Sequence, residues 1–254
     1  MFSSNPVSDI HCDRIAFEVT DIDMLARTVA LVLIQEYELA KCLILGTTPG
    51  DSADISAADI NKIVARRLQG PPIFHRDGFL FQIMMWLSSH LDLAPDDLIA
   101  LPHSQPAAKG QDSIIVHRST ASVHAISICE DKATENPRTT IKNQIWPEIT
   151  DYESGGRDDE LRSSIIATLG TAGIPVADAT KLIRGITWSG KRRYRVRVTV
   201  ENSRLSMLMF KGFATLTPNG RADCRGETVY LPQLRKWMDA FSLKVETELR
   251  SLAN

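Results

Sequence analysis

Two acids and a lysine stand at the ends of two short apolar runs in the middle of the chain. Asp112 comes just before the run Ile114–Val116, and Glu130 and Lys132 come just after the run Ala125–Cys129. If these runs pair as neighbouring strands, Asp112 and Glu130 can converge on one divalent cation. Side chains on a strand alternate between its two faces, so Lys132 should share a face with Glu130. This spacing predicts a hydrolytic metal site, and a phosphodiester is the favoured substrate.

A divalent cation would explain why two acids share such a site. Neighbouring carboxylates oppose each other's ionisation and therefore need a counter-charge. Mg²⁺ prefers a few carboxylate oxygens and keeps water molecules that a phosphate can displace, and it acidifies its own water and stabilises charge on phosphoryl oxygens. Lys132 would orient that water or neutralise developing charge. The purely structural alternative makes Asp112 a turn residue and leaves Glu130 and Lys132 at a solvated strand end.

Apolar periodicity predicts the elements that would hold these residues. A nearly all-apolar helix over 77–91 carries Gln82, which would support the acid cluster or serve as an amide satisfied between helices. The acids lie on a hairpin with its turn at 119–122, and a helix over 139–152 follows, with Pro147 as the expected site of a kink. Further helices are predicted over 21–45, 57–68, 158–172, 177–184 and 231–252, and further strands over 14–19, 193–200 and 205–213. The predicted fold is α/β, with a mixed central sheet flanked by helices, an added C-terminal strand pair and a closing helix.

A basic strand is the strongest candidate for contact with a nucleic acid. Arg193, Arg195 and Arg197 alternate with Tyr194, Val196 and Val198, which predicts a strand with one apolar and one cationic face. Arginines two residues apart can follow a phosphate backbone. The alternative is a solvent-facing row paired with acids elsewhere. Arg138 and Lys142, shortly after the acid-x-lysine segment, are further candidates for phosphate contact.

The segment 75–155 resembles the PD-(D/E)XK nuclease superfamily. Asp112 matches the first acid of that motif, and Glu130-Asp131-Lys132 matches its acid-x-lysine part. The resemblance implies a restriction-endonuclease-like core and Mg²⁺- or Mn²⁺-dependent cleavage, with Asp112 and Glu130 as metal ligands and Lys132 and Gln82 completing the catalytic set. It also implies that the helix with Gln144 and Glu148 is the second core helix. Two departures are the absence of a proline before Asp112, where Gln111 stands, and an amide rather than an acid at position 82.

A second resemblance concerns biological role. The segments Gly110-Gln111-Asp112 and Glu130-Asp131-Lys132, with His117 between them, are similar to effector nucleases of the Hachiman type of anti-phage system. This resemblance implies an effector in antiviral defence that acts on DNA and works with a helicase or ATPase partner. The competing interpretation is a non-catalytic nucleic-acid-binding or regulatory subunit that keeps a nuclease-like scaffold.

Composition limits these interpretations without deciding between them. The 254 residues carry a formal net charge of −2, so a nucleic-acid surface must be local. The length suits one nuclease-like domain, with an N-terminal helical extension over 1–74, a core over 75–155 and a C-terminal strand and helix portion over 156–254. No apolar stretch is long enough for a membrane span and no signal peptide is visible, so we expect a cytoplasmic protein. The scattered cysteines predict buried thiols rather than a zinc site; they are Cys12, Cys42, Cys129 and Cys224.

Overall fold

A central sheet of seven strands organises the described part of the chain. The structure is a computed structural model, and it describes residues 1–48, 50, 54–108, 110–119, 122–184, 190–201, 206 and 208–253. The strands are β1 (Phe2–Val7), β2 (Asp13–Val19), β3 (Leu98–Ile99), β4 (Ser113–Arg118), β5 (Val123–Lys132), β6 (Arg192–Val200) and β7 (Cys224–Tyr230), in the spatial order β1-β2-β7-β6-β5-β4-β3. Strands β5, β6, β7 and β2 run parallel to one another, while β3, β4 and β1 join by antiparallel pairing. The sheet is therefore mixed, as predicted.

Helices cover both faces of this sheet, which confirms the predicted α/β architecture. They are α1 (Ile22–Leu33), α2 (Tyr37–Ile44), α3 (Ala57–Val64), α4 (Ile73–Ser89), α5 (Pro137–Thr140), α6 (Trp146–Glu153), α7 (Asp158–Thr171), α8 (Val176–Ile183) and α9 (Leu234–Ser251). One apolar core joins α1, α4 and α9 to the sheet, and a second core on the other face joins α6, α7 and α8 to β4, β5 and β6. Helix α4 is apolar nearly all round because it packs against both the sheet and other helices.

The helical segment after β5 changes its hydrogen bonding just before a proline. A π-helical turn, Ile141–Ile145, connects α5 to α6, and the N–H of Trp146 donates to the carbonyl of Ile141. Pro147 has no N–H and its ring clashes with the carbonyl four residues earlier, so a regular helix is unfavourable there. The distortion expected at Pro147 is thus present, displaced slightly towards the N-terminus. Ile141, Ile145 and Ile149 still face the sheet core.

Several predicted boundaries are corrected by the structure. The helix predicted over 21–45 is two helices, separated where Gln35 adopts a left-handed φ of 68°. The described part of the strand predicted over 205–213 forms turns instead, and the additional strand is β7. β7 was not predicted because Arg225 and Glu227 interrupt the apolar pattern of a buried strand. Glu227 is nevertheless fully buried, in ion pairs. The N-terminal portion contributes two strands to the sheet: β2, which confirms the strand predicted over 14–19, and β1, which was not predicted.

The cysteines and the helix lengths complete the description of the fold. Cys12, Cys129 and Cys224 are buried free thiols, and Cys42 is half-buried and also free. Burial raises the pKa of Cys129 to about 11. Among the described residues, every helix is too short or too polar to cross a lipid bilayer.

Candidate active site

The antiparallel pairing of β4 with β5 brings Asp112 to the acid-x-lysine segment. Ser113 lies opposite Cys129 in the register, so the preceding residue, Asp112, lies beside Glu130 and Asp131. The backbone N–H of Asp131 donates to Oδ2 of Asp112 over 2.6 Å. The hairpin that sets this register closes where the N–H of Ser119 donates to the carbonyl of Ser122, while the two residues between them lie outside the described part of the chain.

Lys132 contacts both acids. Its Nζ lies 3.0 Å from Oε2 of Glu130 and 3.4 Å from Oδ2 of Asp112. Glu130 and Lys132 are two residues apart on β5 and share the face that packs against α6, as strand alternation requires. The structure thus brings together the three residues that the sequence singled out.

Gln82 reaches the same point from the opposite face of the sheet. It lies in the middle of α4, and its side-chain amide donates to Oδ1 of Asp112. Asp112 precedes the first residue of β4, so groups from both faces can approach its carboxylate. One oxygen of Asp112 is therefore held by Gln82, and the other by the N–H of Asp131 and the ammonium of Lys132.

Burial makes this cluster electrostatically demanding. Glu130 is 2% exposed and Asp112 is 8% exposed. Burial, followed by the charge of Asp112, raises the pKa of Glu130 well above its usual value, against the opposing effect of Lys132. Burial alone would lower the pKa of Lys132, but the charges of Glu130 and Asp112 outweigh it and raise that pKa. Lys132 is therefore a firmly protonated counter-ion of both acids.

Glu148 is an acid of this site that sequence reasoning placed only on the neighbouring helix. It lies on α6, and its charge raises the pKa of the Glu130 carboxyl further. No described donor reaches Oε1 of Glu130, so a hydrogen bond between the two carboxyls needs a proton on one of them. The helical spacing from Ile145 and Tyr152, both buried against the sheet, was the available signal that Glu148 borders the same face.

The acids available for a cation are few. Within the described part of the chain, no group of three or more His, Cys, Asp or Glu side chains is arranged to hold a metal ion. Asp112 and Glu130 are the pair that the geometry offers, and the Lys132 ammonium contacts both of them. Mg²⁺ is commonly bound by one or two carboxylates with water in its remaining positions, so a pair is chemically sufficient for that ion.

Asp131, which stands between Glu130 and Lys132, faces the interior of the protein. It is 3% exposed and lies on the other face of the sheet, where its carboxylate binds Arg197. Burial raises the pKa of Asp131 to about 7, against the lowering effect of the Arg197 charge. Asp131 therefore belongs to the core beneath α4.

The expected cationic stripe on β6 is also corrected. Arg197 is 0% exposed, and Arg195 is 6% exposed and bound to Glu227 over 2.6 Å. Only Arg193 of the three is exposed, beside a small cavity of about 200 Å³. The parallel register places Arg193 opposite Ser127 and Arg197 opposite Asp131, so all three arginines point away from the face of Glu130 and Lys132. Acids on β5 and β7 neutralise the two buried arginines.

The other candidates for phosphate contact have different environments. Arg138 is half-buried and donates to the carbonyls of Met209 and Lys211 over 3.1 and 2.9 Å, which gives it a structural task. Lys142 is exposed on the π-helical turn. A surface cleft of about 500 Å³ opens beside Lys132. Its other lining residues include Asn136, Thr140, Gln144, Phe74, Arg235 and the acid Glu135.

No protein-family model matches the chain, and a comparison with curated proteins found no match.

Proposed function

We propose that this protein is a metal-dependent nuclease that hydrolyses phosphodiester bonds, with DNA as its substrate. The supporting observation is the convergence of Asp112, just before β4, and Glu130, on β5, on the ammonium of Lys132 at distances of 3.4 and 3.0 Å. Two buried carboxylates with one lysine are unfavourable as pure scaffolding, since burial of like charges is costly. The placement of two buried carboxylates beside each other therefore favours a role in chemistry over a role in packing.

The donors present suit Mg²⁺ or Mn²⁺. Asp112 and Glu130 would hold the ion, and Oε1 of Glu130, which accepts no hydrogen bond from the described residues, is a buried oxygen without a partner. Glu148 lies close enough to influence Glu130 and adds negative charge on the same side. When bound, the ion would supply stabilisation of phosphoryl charge and a more acidic water.

The other residues of the site would position the Asp112 carboxylate and neutralise negative charge. Gln82 and the N–H of Asp131 fix the two oxygens of the Asp112 carboxylate, which limits its rotation. Lys132 is protonated, so it orients water or neutralises phosphate charge rather than accepting a proton. The cleft beside Lys132 offers hydroxyl and amide donors from Thr140, Asn136 and Gln144 to a phosphate backbone.

Nicking of supercoiled plasmid DNA in Mg²⁺ and in Mn²⁺ tests this proposal. Replacing Glu130 and Lys132 together by alanine should abolish nicking. The matched control is the double alanine variant of Asp178 and Lys181, an exposed ion pair of 2.9 Å on α8 that removes the same two charges. The control should nick like the wild type. Undiminished cleavage by the Glu130 and Lys132 double variant would reject the nuclease proposal.

A non-catalytic scaffold is the second candidate, and one observation favours it. The Lys132 ammonium already supplies a counter-charge to both acids without a metal. Calorimetric titration with Mn²⁺ distinguishes a nuclease from a non-catalytic scaffold. A nuclease site should bind Mn²⁺ in the wild type and lose that binding on Asp112→Asn, whereas a scaffold should bind DNA with no Mn²⁺ affinity.

We extend the proposal to defence against phage, with a helicase or ATPase partner, as the resemblance to Hachiman-type effectors implies. The nuclease step would then depend on Lys132 in cells. Plaque counts on bacteria that carry the complete system should rise to the level of unprotected cells when Lys132 is replaced by methionine. Full protection by that variant would contradict a catalytic role in defence.

A further inference from the structure

Arg197 connects two elements that each carry part of the candidate site. It lies on the interior strand β6 and is 0% exposed. Its guanidinium binds the Asp131 carboxylate through two nitrogens, with 2.9 Å between Nη2 and Oδ2. Its Nη1 donates to the carbonyl of Met85 over 2.9 Å and to Oγ of Ser89 over 2.7 Å, and both residues belong to α4. One side chain thus joins β5 to α4 through the core.

Both anchors of Arg197 are adjacent to site residues. Asp131 stands between Glu130 and Lys132, and its own N–H holds Asp112. Met85 is one helical turn after Gln82, whose amide holds the other oxygen of Asp112. The Arg197 contacts therefore fix the two backbone segments that enclose Asp112.

Apolar packing alone would leave this alignment loose. Helix α4 presents apolar side chains nearly all round, and contacts between such surfaces are not directional. A guanidinium is planar and rigid, and it donates in fixed directions, so it sets the position of α4 along β5. A buried ion pair seldom adds stability relative to apolar replacements. We therefore assign Arg197 a role in alignment rather than in stability.

We propose that Arg197 is a positioning residue that aligns α4 with β5 and thereby sets the distance between Gln82, Asp112 and Glu130 for metal binding. This inference rests on the proposed metal-dependent function for its effect on the ion. Arg197 touches neither the acids that would bind the metal nor the cleft beside Lys132. Its influence passes through Asp131 on one side and through Met85 and Ser89 on the other.

The test compares Arg197→Met with Arg14→Met in the full chain. Arg14 is a matched control because it is also a buried arginine on an interior strand, bound to Asp9 over 3.2 Å, and it lies on β2, three strands away from β5. Both variants should lose stability. Mn²⁺ affinity, measured by calorimetry without DNA, should fall by about 10- to 100-fold in Arg197→Met, as for groups that orient metal ligands, and should stay unchanged in Arg14→Met.

A milder variant keeps the test decisive if Arg197→Met fails to fold. Ser89→Ala removes one of the α4 contacts of Arg197 and should lower Mn²⁺ affinity by about 2- to 10-fold, the worth of one hydrogen bond. Equal Mn²⁺ affinity in Arg197→Met and Arg14→Met would overturn the inference, as would unchanged affinity in Ser89→Ala when only that variant folds.

Amide hydrogen exchange of the segment 125–135, measured in chelator, separates this inference from the proposed function. The amide of Asp131 should exchange faster in Arg197→Met, or in Ser89→Ala, than in Arg14→Met. If the wild type binds no Mn²⁺ but the variants show this faster exchange, the metal site is rejected and the alignment role of Arg197 is retained. Unchanged exchange in the α4-contact variants overturns the alignment role, whatever the metal result.

Discussion

Replacing Glu130 with glutamine should stabilise the folded protein in chelator, and under the proposed nuclease function it should abolish cleavage of DNA. Glu130 is 2% exposed, its Oε1 accepts no hydrogen bond from the described residues, and the charges of Asp112 and Glu148 oppose its ionisation. Glutamine keeps the shape of the side chain and removes the charge. Its amide can also donate to the carboxylate of Glu148, which glutamate can do only when protonated.

The expected gain follows from two opposing contributions. Relieving a buried acceptor that lacks a partner is worth about 1–3 kcal/mol. The lost ion pair with Lys132 offsets up to about 1 kcal/mol, because the lysine side chain is 24% exposed and keeps Asp112 as a partner. The free energy of unfolding should therefore rise by about 1–2 kcal/mol near neutral pH.

The gain should depend on pH in a defined direction. The pKa of Glu130 is raised in the folded protein above its usual 4.5. A raised carboxyl pKa contributes stability that is present at low pH and is lost as pH rises through the folded value. The advantage of the glutamine variant should accordingly widen as pH rises and shrink in acid, where glutamate is protonated.

Urea unfolding in chelator, followed by tryptophan fluorescence, measures this change. Glu18→Gln serves as the control, since Glu18 is exposed on β2 and its replacement should leave stability unchanged. A Glu130→Gln variant less stable than the wild type at about pH 8 would refute the account, because the pKa linkage requires the charged carboxylate to be unfavourable there.

Three further changes test the fold away from the acids. Gly226→Ala should cost about 1–3 kcal/mol in urea unfolding, because the added Cβ would lie 2.7 Å from the Phe210 ring and 2.8 Å from Sγ of Cys12; an unchanged midpoint would contradict this packing. Burial lowers the pKa of His90 below 6.5, so the wild type should lose stability as pH falls below that value, and His90→Gln should show a smaller loss between two thermal melts in neutral and mildly acidic buffer. Equal losses would argue against a buried neutral imidazole. Ser56→Ala should lower the free energy of unfolding by about 1 kcal/mol in urea, because the Ser56 hydroxyl accepts from the N–H of Asp59 at the start of α3. Ser56→Thr should keep most of the wild-type stability, since threonine can also cap a helix.

Local sequence patterns were sufficient wherever the determining contacts are close in the chain. The alternation of side chains along β5 puts Glu130 and Lys132 on one face, and a short turn pairs β5 with β4 so that Asp112 meets them. The apolar periodicity of α4, α7 and α9 likewise identified those helices within a few residues. These features depend on strand and helix geometry, which neighbouring residues determine.

Contacts with distant strands and helices determined which charged residues are buried and where β7 lies. The arginine row on β6 has the alternation of a strand that faces water, but α4 covers that face, and acids from β5 and β7 neutralise Arg197 and Arg195. Asp131 faced the core for the same reason, and Glu148 joined the acids because α6 folds back over β5. β7 was missed because its buried Glu227 depends on Arg195, a partner 32 residues earlier in the chain, as well as on Arg225.

By itself, the sequence determined an α/β chain with two acids and a lysine converging at a hairpin, because alternation and turn length are local properties. The tertiary structure alone decided which charges are buried, since that depends on which element covers each face of the sheet. It made Arg197 an internal link between α4 and β5 instead of a surface cation. A charged residue on a strand is exposed or buried according to the partners that distant segments supply.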